Sequence, residues 1–593
     1  MSYLPHSADN AFLLFNVVQA APQLQRLAPH QGSDEALMRQ VLEEAGKWVG
    51  DVVAPLSREG DEVGAQFEAG KVTMPPGFAK AYQDFWQAGW PALACAEEDG
   101  GQGLPWVLEG VLYEWLSAAN HGWTMAPGLL HGAYECLKHH GSDALKGAYL
   151  DKVASGEWLA TMCLTEAHAG SDLGLVRTQA VPAGETALGT AYAISGSKIF
   201  ISGGEHDLTE NIVHLVLARL PGAPAGPKGL SLFLAPKVME DGTLNAVVCE
   251  RIEEKMGIHG SPTCVMRFDG ATGWLIGKEG AGLNAMFVMM NAARLHVALQ
   301  GIGLLDAAWQ KAHAYALERR QMRAPGKPPA SRGAGDTADL IIEHPVIART
   351  LDVQRAWIDG GRVLAYQTGV YLDQARHAED AAEREQAQRW CSLITPVLKS
   401  AWTQQGFEGA SACLQVFGGH GYVREWGIEQ IVRDARIAMI YEGTNEIQAI
   451  DLLVRKVLPD QGQAMGQWLL ALRKTLDAAR PLDAEVLRRL AELRYFTTVL
   501  VEGCKSDDTL AWRVADDYLR CVAVLLMGWA WARIAATEGT ETPRWQGPLV
   551  ALQQRILPEI DWRLQLMKAQ WTQQSLVHGV SALAANSGGA AAV

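Results

Sequence analysis

The sequence predicts a mainly α-helical protein built around a central β domain, and three observations predict it. Apolar residues recur at helical spacing in both the first and the last parts of the chain. Between about Leu159 and Gly280 that period gives way to short β-type runs punctuated by glycine and proline. After Leu283 the helical period returns, with no proline before Arg323.

Taken in order, residues 1–158 form a predicted N-terminal helical domain, broken at the glycine- and acid-rich stretch Ala96 to Gly103. Residues 159–280 form the β domain, in which Ile194 to Ser202, Ile212 to Leu217 and Leu230 to Leu234 are brief apolar segments. Residues 281–459 form a helical bundle. Leu283, Met286, Phe287, Met290, Val297, Leu304 and Ala308 fall at spacings of three, four or seven. A helix of about 38 residues there would be roughly 57 Å long, long enough to pack against a second subunit. Ala324 to Asp339, rich in Pro, Gly and Ala, reads as a loop or insertion. Residues 460–593 are a further helical region whose tail, Ser587 to Val593, is expected to fray.

The 593 residues carry a net charge of −15, a surface that repels phosphate backbones, so no nucleic-acid partner is expected. The longest unbroken apolar run, Cys521 to Ala532, is about 12 residues against the roughly 20 a span needs, so no membrane insertion is expected. Nine cysteines with no C-x-x-C pair suit buried thiols in a reducing, cytoplasmic setting. Searches for a Rossmann glycine fingerprint, a P-loop, a G-x-S-x-G elbow or zinc-ligand spacing find none, and no metal is expected.

Four segments carry the chemistry. Leu164-Thr165-Glu166-Ala167-His168-Ala169-Gly170-Ser171-Asp172 concentrates hydroxyls, amides and turn formers. Lys198-Ile199-Phe200-Ile201-Ser202-Gly203-Gly204 is an aromatic strand ending in a double glycine. Gln415-Val416-Phe417-Gly418-Gly419-His420-Gly421-Tyr422 has glycines spaced so that backbone can approach a ligand. Arg433 to Glu446 places one carboxylate, Glu442, after the apolar Met439-Ile440-Tyr441 and before Gly443.

In this order and with these separations the four segments resemble the acyl-CoA dehydrogenase family. The likeness runs from about Ala94 to Lys456, includes Glu318-Arg319-Arg320, and over the whole chain is greatest to the family's long bacterial branch. It implies an N-terminal helical domain, a β-barrel-like middle domain and a C-terminal bundle, here with an additional helical region. It also implies an FAD-dependent oxidoreductase that converts an acyl-CoA to the trans-2-enoyl-CoA. Electrons would pass to an electron-transferring flavoprotein, and the protein would be a homodimer or higher homo-oligomer.

Residue by residue, the resemblance makes Glu442 the base. Some relatives carry that base on the long helix before an arginine, where this chain has Ala293 before Arg294. Leu164, Thr165, Phe200 and Ser202 would contact the flavin ring, with Phe200 replacing a frequent tryptophan and Ser202 a threonine. Arg319, Gln415 and Gly419 would reach the pyrophosphate and adenosine end across subunits, and Thr444 and Glu446 would touch FAD beyond the base. Ser171, Arg294, Tyr441 and Gly443 would lie on the substrate side, and the acyl pocket would draw on Gly101 to Leu108 and residues around Tyr422. Met322 in place of phenylalanine and the insertion after Arg323 are departures. An acyl-CoA oxidase, or a nucleic-acid-associated flavoprotein of the same fold, are the alternatives.

Overall fold

The computed structural model describes residues 2–326 and 338–571. Its fold class is the one the sequence predicts: helices at both ends of the chain and a sheet between them. The predicted fraying tail lies outside the described residues, as do residues 327–337 of the insertion. A departure in the N-terminal region is a small antiparallel hairpin, Gln66–Glu68 with Lys71–Thr73, turned by Ala69 and Gly70 at positive φ.

Two N-terminal helices bear on the site, α1 (Trp106–Thr124) and α2 (Leu130–His140). α1 is kinked at Asn120 (φ −157°, ψ 89°), where the Asn120 side chain takes over part of the backbone's role by accepting from the Trp123 N–H at 3.1 Å.

The middle sheet comprises β1 (Leu159–Cys163), β2 (Gln179–Thr186), β3 (Gly189–Ser202), β4 (Ile212–Arg219), β5 (Leu230–Pro236), β6 (Val247–Ile252) and β7 (Thr263–Ile276). β1 pairs in parallel with β4, Leu159 opposite Ile212 through Cys163 opposite Val216. β2, β3, β7, β5 and β4 pair in sequence, and β2 touches β4 at Gln179–Arg219, so the pairing closes on itself as a small barrel. β4 and β5 are apolar almost throughout because both of their faces are covered.

The bundle is built on α3 (Gly282–Glu318), α4 (Pro345–His377), α5 (Ala381–Val416), α6 (Ile428–Ala435) and α7 (Asn445–Ile450). α3 and α5 approach at Gly301 and Gly406: a Cβ on Gly301 would lie 2.4 Å from the Trp402 carbonyl oxygen, so only glycine permits this backbone contact. Of the additional helices, α8 (Pro481–Cys504) packs on α9 (Leu510–Ala535), which packs in turn on α4 and α7. By length and composition α3 and α9 could each cross a membrane, which the count of unbroken apolar residues did not reveal. Here 83% and 89% of their most apolar stretches are buried inside the protein, as in core helices.

Where the two helical ends of the chain meet, charge is buried. Arg362 is fully enclosed and pairs with Glu114 at 2.7 Å and Asp306 at 2.8 Å. Arg355 bridges Asp9, Asp306 and Asp359, and Arg544 from the additional region pairs with Asp9 and Asp359. Burial raises the Asp306 pKa, but Arg362 and Arg355 outweigh it and hold the carboxyl at about 2. The expected outcome of Arg362→Met is a loss of about 3–5 kcal/mol, read as a lower melting temperature, because two carboxylates lose their shared cation. In the parent protein Asp306's contribution is present above the ordinary carboxylate range. It disappears as pH falls through about 2, which acid titration of the folded signal checks.

Candidate active site

α6 ends at Ala435, a 3-10 turn covers Arg436–Met439, and α7 begins at Asn445. Between them Glu442 and Gly443 take left-handed backbone, with φ of 56° and 85°. Glycine does so freely, whereas for glutamate the strain is about 1 kcal/mol, so neighbouring contacts must hold it. Gln448 Nε2 donates to the Glu442 carbonyl at 3.0 Å and to the Gly443 carbonyl at 3.3 Å. Lys399 Nζ, from the middle of α5, donates to the Gly443 carbonyl at 2.8 Å and to Asn445 Oδ1 at 3.0 Å. The Thr444 hydroxyl caps α7, accepting from the Ile447 N–H at 3.4 Å. Among the described residues the backbone N–H groups of Glu442 and Gly443 have no acceptor, and the Glu442 carboxyl has no hydrogen bond.

Burial pushes Glu442 up to about 7, against the lowering pull of Arg294 and then Lys399. Arg294, buried on α3, lies 3.6 Å from Asp451. The Tyr441 hydroxyl donates to Gln300 Oε1 of α3 and stands 3.3 Å from His121 Nε2, one residue past the α1 kink. Burial lowers His121 to about 4, so its ring is neutral near neutral pH. Glu442 is half-buried, under the charges of Arg294 from α3 and Lys399 from α5, while its neighbour Tyr441 meets α1 and α3. Ala293, in the alternative position for a base, is a buried methyl group.

A second cluster forms on the barrel. Lys198 and Glu166 make a buried ion pair at 2.9 Å, and Glu166 also accepts from the N–H groups of Arg177 and Thr178 and from the Thr178 hydroxyl. Burial raises Glu166, but Lys198 and these donors bring it down to about 2. The pair fixes the Leu164–Asp172 turn against β3, where the Ile199 N–H donates to the Thr165 carbonyl at 2.9 Å and Lys198 Nζ to the Leu164 carbonyl at 3.0 Å. β3 then slips register between Lys198 and Ile201, and Phe200 takes φ 60° in the bulge. The bulge leaves the Phe200 ring 60% exposed, between the buried Lys198 and Ile201. Leu164, Thr165 and Ser202 are half-buried beside it. An exposed aromatic ring flanked by hydroxyls fits a flat, polar-edged ring system such as a flavin.

The two clusters converge on the end of α1. The Gly203 N–H bonds the Pro262 carbonyl at 3.0 Å, and a Cβ on Gly203 would lie 3.9 Å from Ala126. The adjacent Met125 Sδ is 3.7 Å from the Tyr441 hydroxyl. The base segment is also tied to the N-terminal domain, through Arg433 and Asp61, and to the barrel domain, where the Asp434 carboxylate accepts from the Ile258 N–H.

Arg319, Gln415 and Gly419 are exposed at one end of the bundle, where Tyr315 stacks on Phe417 and bonds His420 at 3.0 Å. They are not brought to this chain's Glu442, since Arg294 to Arg319 spans about 37 Å of α3 and Lys399 to Gln415 about 24 Å of α5. Ser171 is exposed on its turn, and Glu446 is exposed with its carboxyl lowered chiefly by the Thr444 hydroxyl. Tyr422 corrects an expectation: at 89% exposure its side chain walls no enclosed pocket in this chain, because the glycine-rich turn carries it outward. Lys399, Gln448, Gln300 and His121 were missed by the sequence reading. Lys399 alone left a signal there, a lysine inside the apolar run Val397 to Trp402. Among the described residues no His, Cys, Asp and Glu grouping suits a metal ion.

Comparison with known proteins agrees with this geometry. Residues 36–157, 161–271 and 280–457 match the models of the acyl-CoA dehydrogenase N-terminal, middle and C-terminal domains. The 3-methylmercaptopropionyl-CoA dehydrogenase of Ruegeria pomeroyi is 41% identical over 89% of this chain and 90% of its own length. The broad-specificity linear acyl-CoA dehydrogenase of Mycobacterium tuberculosis is 31% identical over 90% of both chains. Among solved structures, an acyl-CoA dehydrogenase complexed with FAD from Bacillus anthracis superposes with a TM-score of 0.70 at 21% identity, covering 90% of this chain and 88% of that one. Caenorhabditis elegans ACDH-11 in complex with C11-CoA gives 0.72 at 21%, covering 91% and 90%. With all three domain models matched in order and a 41% identical relative aligned over nearly the full chain, the protein belongs to the acyl-CoA dehydrogenase family of FAD-dependent oxidoreductases.

Proposed function

We propose that the protein removes hydrogen across the Cα–Cβ bond of an acyl-CoA thioester, giving the trans-2-enoyl-CoA, with Glu442 taking the α-proton. The observation that carries this reading is a half-buried carboxyl of raised proton affinity with no hydrogen-bond partner among the described residues, next to Tyr441, which reaches the same end of α1 as Gly203 of the Phe200 strand segment.

Negative charge gathers on the thioester oxygen as the α-proton leaves, so that oxygen needs a donor. The Glu442 N–H, without an acceptor among the described residues, is the donor this chain offers. The carboxylate of the same residue accepts the proton, and the partial loss of water around this half-buried group raises its proton affinity toward the working pH. FAD, when bound, supplies the acceptor for the hydride that leaves Cβ. Leu164, Thr165, Phe200 and Ser202 hold its ring, and Thr444 and Glu446 lie beyond the base. Arg319, Gln415 and Gly419 complete the adenosine end of a second subunit's site, and their remoteness from this chain's Glu442 is the reason to expect a homodimer or a multiple of one. Ser171 and Arg294 serve the CoA side. Electrons then pass to an electron-transferring flavoprotein. Short acyl-CoAs, a sulfur-bearing one among them, are the first substrates to try, given the Ruegeria pomeroyi relative.

Mixing the flavin-loaded protein anaerobically with acyl-CoAs of increasing chain length should bleach the flavin absorbance. Bleaching should recover on adding an electron-transferring flavoprotein, whereas peroxide formed in air at the turnover rate would mark an oxidase. Glu442→Gln should keep its flavin and bleach at least about a hundredfold more slowly. Because the base works as a carboxylate, the bleaching rate should rise with pH through a midpoint near 7, which stopped-flow at a series of pH values checks.

A further inference from the structure

We infer that Lys399 is the positioning residue for the base: its ammonium, together with the Gln448 amide, clamps the carbonyls of the Glu442–Gly443 turn and so fixes where the Glu442 carboxyl stands. This rests on Glu442 being the base.

Lys399 is fully buried on α5, in a stretch where Val397, Leu398, Ala401 and Trp402 are buried too. An ammonium there is expensive to desolvate, and among the described residues no carboxylate lies within ion-pairing distance of it. Packing does not call for it, since a methionine would fill the same space without the desolvation cost. What the ammonium gains is a grip on the turn, through the Gly443 carbonyl at 2.8 Å and Asn445 Oδ1 at 3.0 Å. Asn445 is itself tied to α5, its Nδ2 donating to the Ser400 carbonyl at 3.1 Å and its Oδ1 accepting from the Thr403 hydroxyl at 3.1 Å. Gln448 grips the same Gly443 carbonyl at 3.3 Å and adds the Glu442 carbonyl at 3.0 Å. The residue so held is the one non-glycine in the turn at positive φ, the conformation that would relax first were the clamp released.

The charged groups around Lys399 are Glu442 and Glu446 from the base segment and Arg294 from α3. Burial pushes the ammonium down to about 7; Glu442 raises it, Arg294 lowers it and Glu446 raises it. Lys399 and Glu442 therefore sense each other's protonation in the same pH range, and removing the lysine's charge leaves the carboxyl harder to ionise.

The test uses the flavin-loaded protein and its best straight-chain acyl-CoA, with Lys399→Met, Lys399→Arg and Gln448→Met as variants. Lys399→Met should bleach about 100-fold more slowly, the scale of a misplaced catalytic group, with its pH midpoint moved to the alkaline side. Calorimetric affinity for a redox-inert acyl-CoA thioether should stay within about threefold, because ground-state binding is not what the clamp controls. Lys399→Arg should recover part of the rate, and Gln448→Met should show a smaller loss of the same kind. Bleaching of Lys399→Met within about threefold of the parent, or a loss matched by weakened thioether binding, would overturn the inference. If Lys399→Met does not fold, Gln448→Met decides alone by the same criteria. Failure of the parent protein to bleach at all would instead defeat the assignment of Glu442.

Discussion

Stripping part of the water from one carboxyl is the constraint on which the rest of this architecture turns. A glutamate in solution is a poor base for a carbon acid, and what changes it is enclosure. No single element provides that enclosure. The long bundle helix contributes Arg294 and its neighbour contributes Lys399, while the adjoining Tyr441 is held by Gln300 of the long helix and by His121 and Met125 of the N-terminal domain. The site exists only because distant parts of the chain meet, which gives a physical reason for the large buried core shared between them.

The same meeting brings charge inside. Arg355, Arg362 and Arg544 thread the contact between the N-terminal segment, the bundle and the additional helices through Asp9, Glu114, Asp306 and Asp359. Such a network is geometrically demanding, since each guanidinium must find its carboxylates at hydrogen-bond distance or leave a bare charge in the interior. A purely apolar contact would tolerate sliding of one helix over another. This one admits a single register, and so it also fixes how α3 presents its active-site face.

Much of this was legible in the sequence, and the limits have physical causes. Period and turn chemistry are local properties, so the helical ends, the β texture, the uninterrupted long helix and the Glu442-Gly443 turn could all be read from neighbouring residues. The bulge at Phe200 could not, because it is set by β3 slipping against β7, more than sixty positions away. The α1 kink at Asn120 depends on one side chain replacing a backbone partner. Lys399 and Gln300 belong to the site only because their helices cross near Glu442, and a sequence does not display crossings. Counting unbroken apolar residues also understated how hydrophobic α3 and α9 are, since a few polar positions interrupt stretches that the fold buries regardless.

The insertion that follows α3 has a closed base. The Ile341 N–H bonds the Arg319 carbonyl, Gln321 and Asp339 exchange backbone with Asp339 and Met322, and the Asp339 carboxylate accepts from the Ala324 N–H. With the stem sealed on both sides, chain lying beyond it can lengthen or shorten at a cost of only about 0.6 kcal/mol per doubling, and the ends of the two helices do not feel the change. Evolution is thereby given a grafting point: new recognition elements can be tried on the rim of the molecule while the geometry inside is left undisturbed.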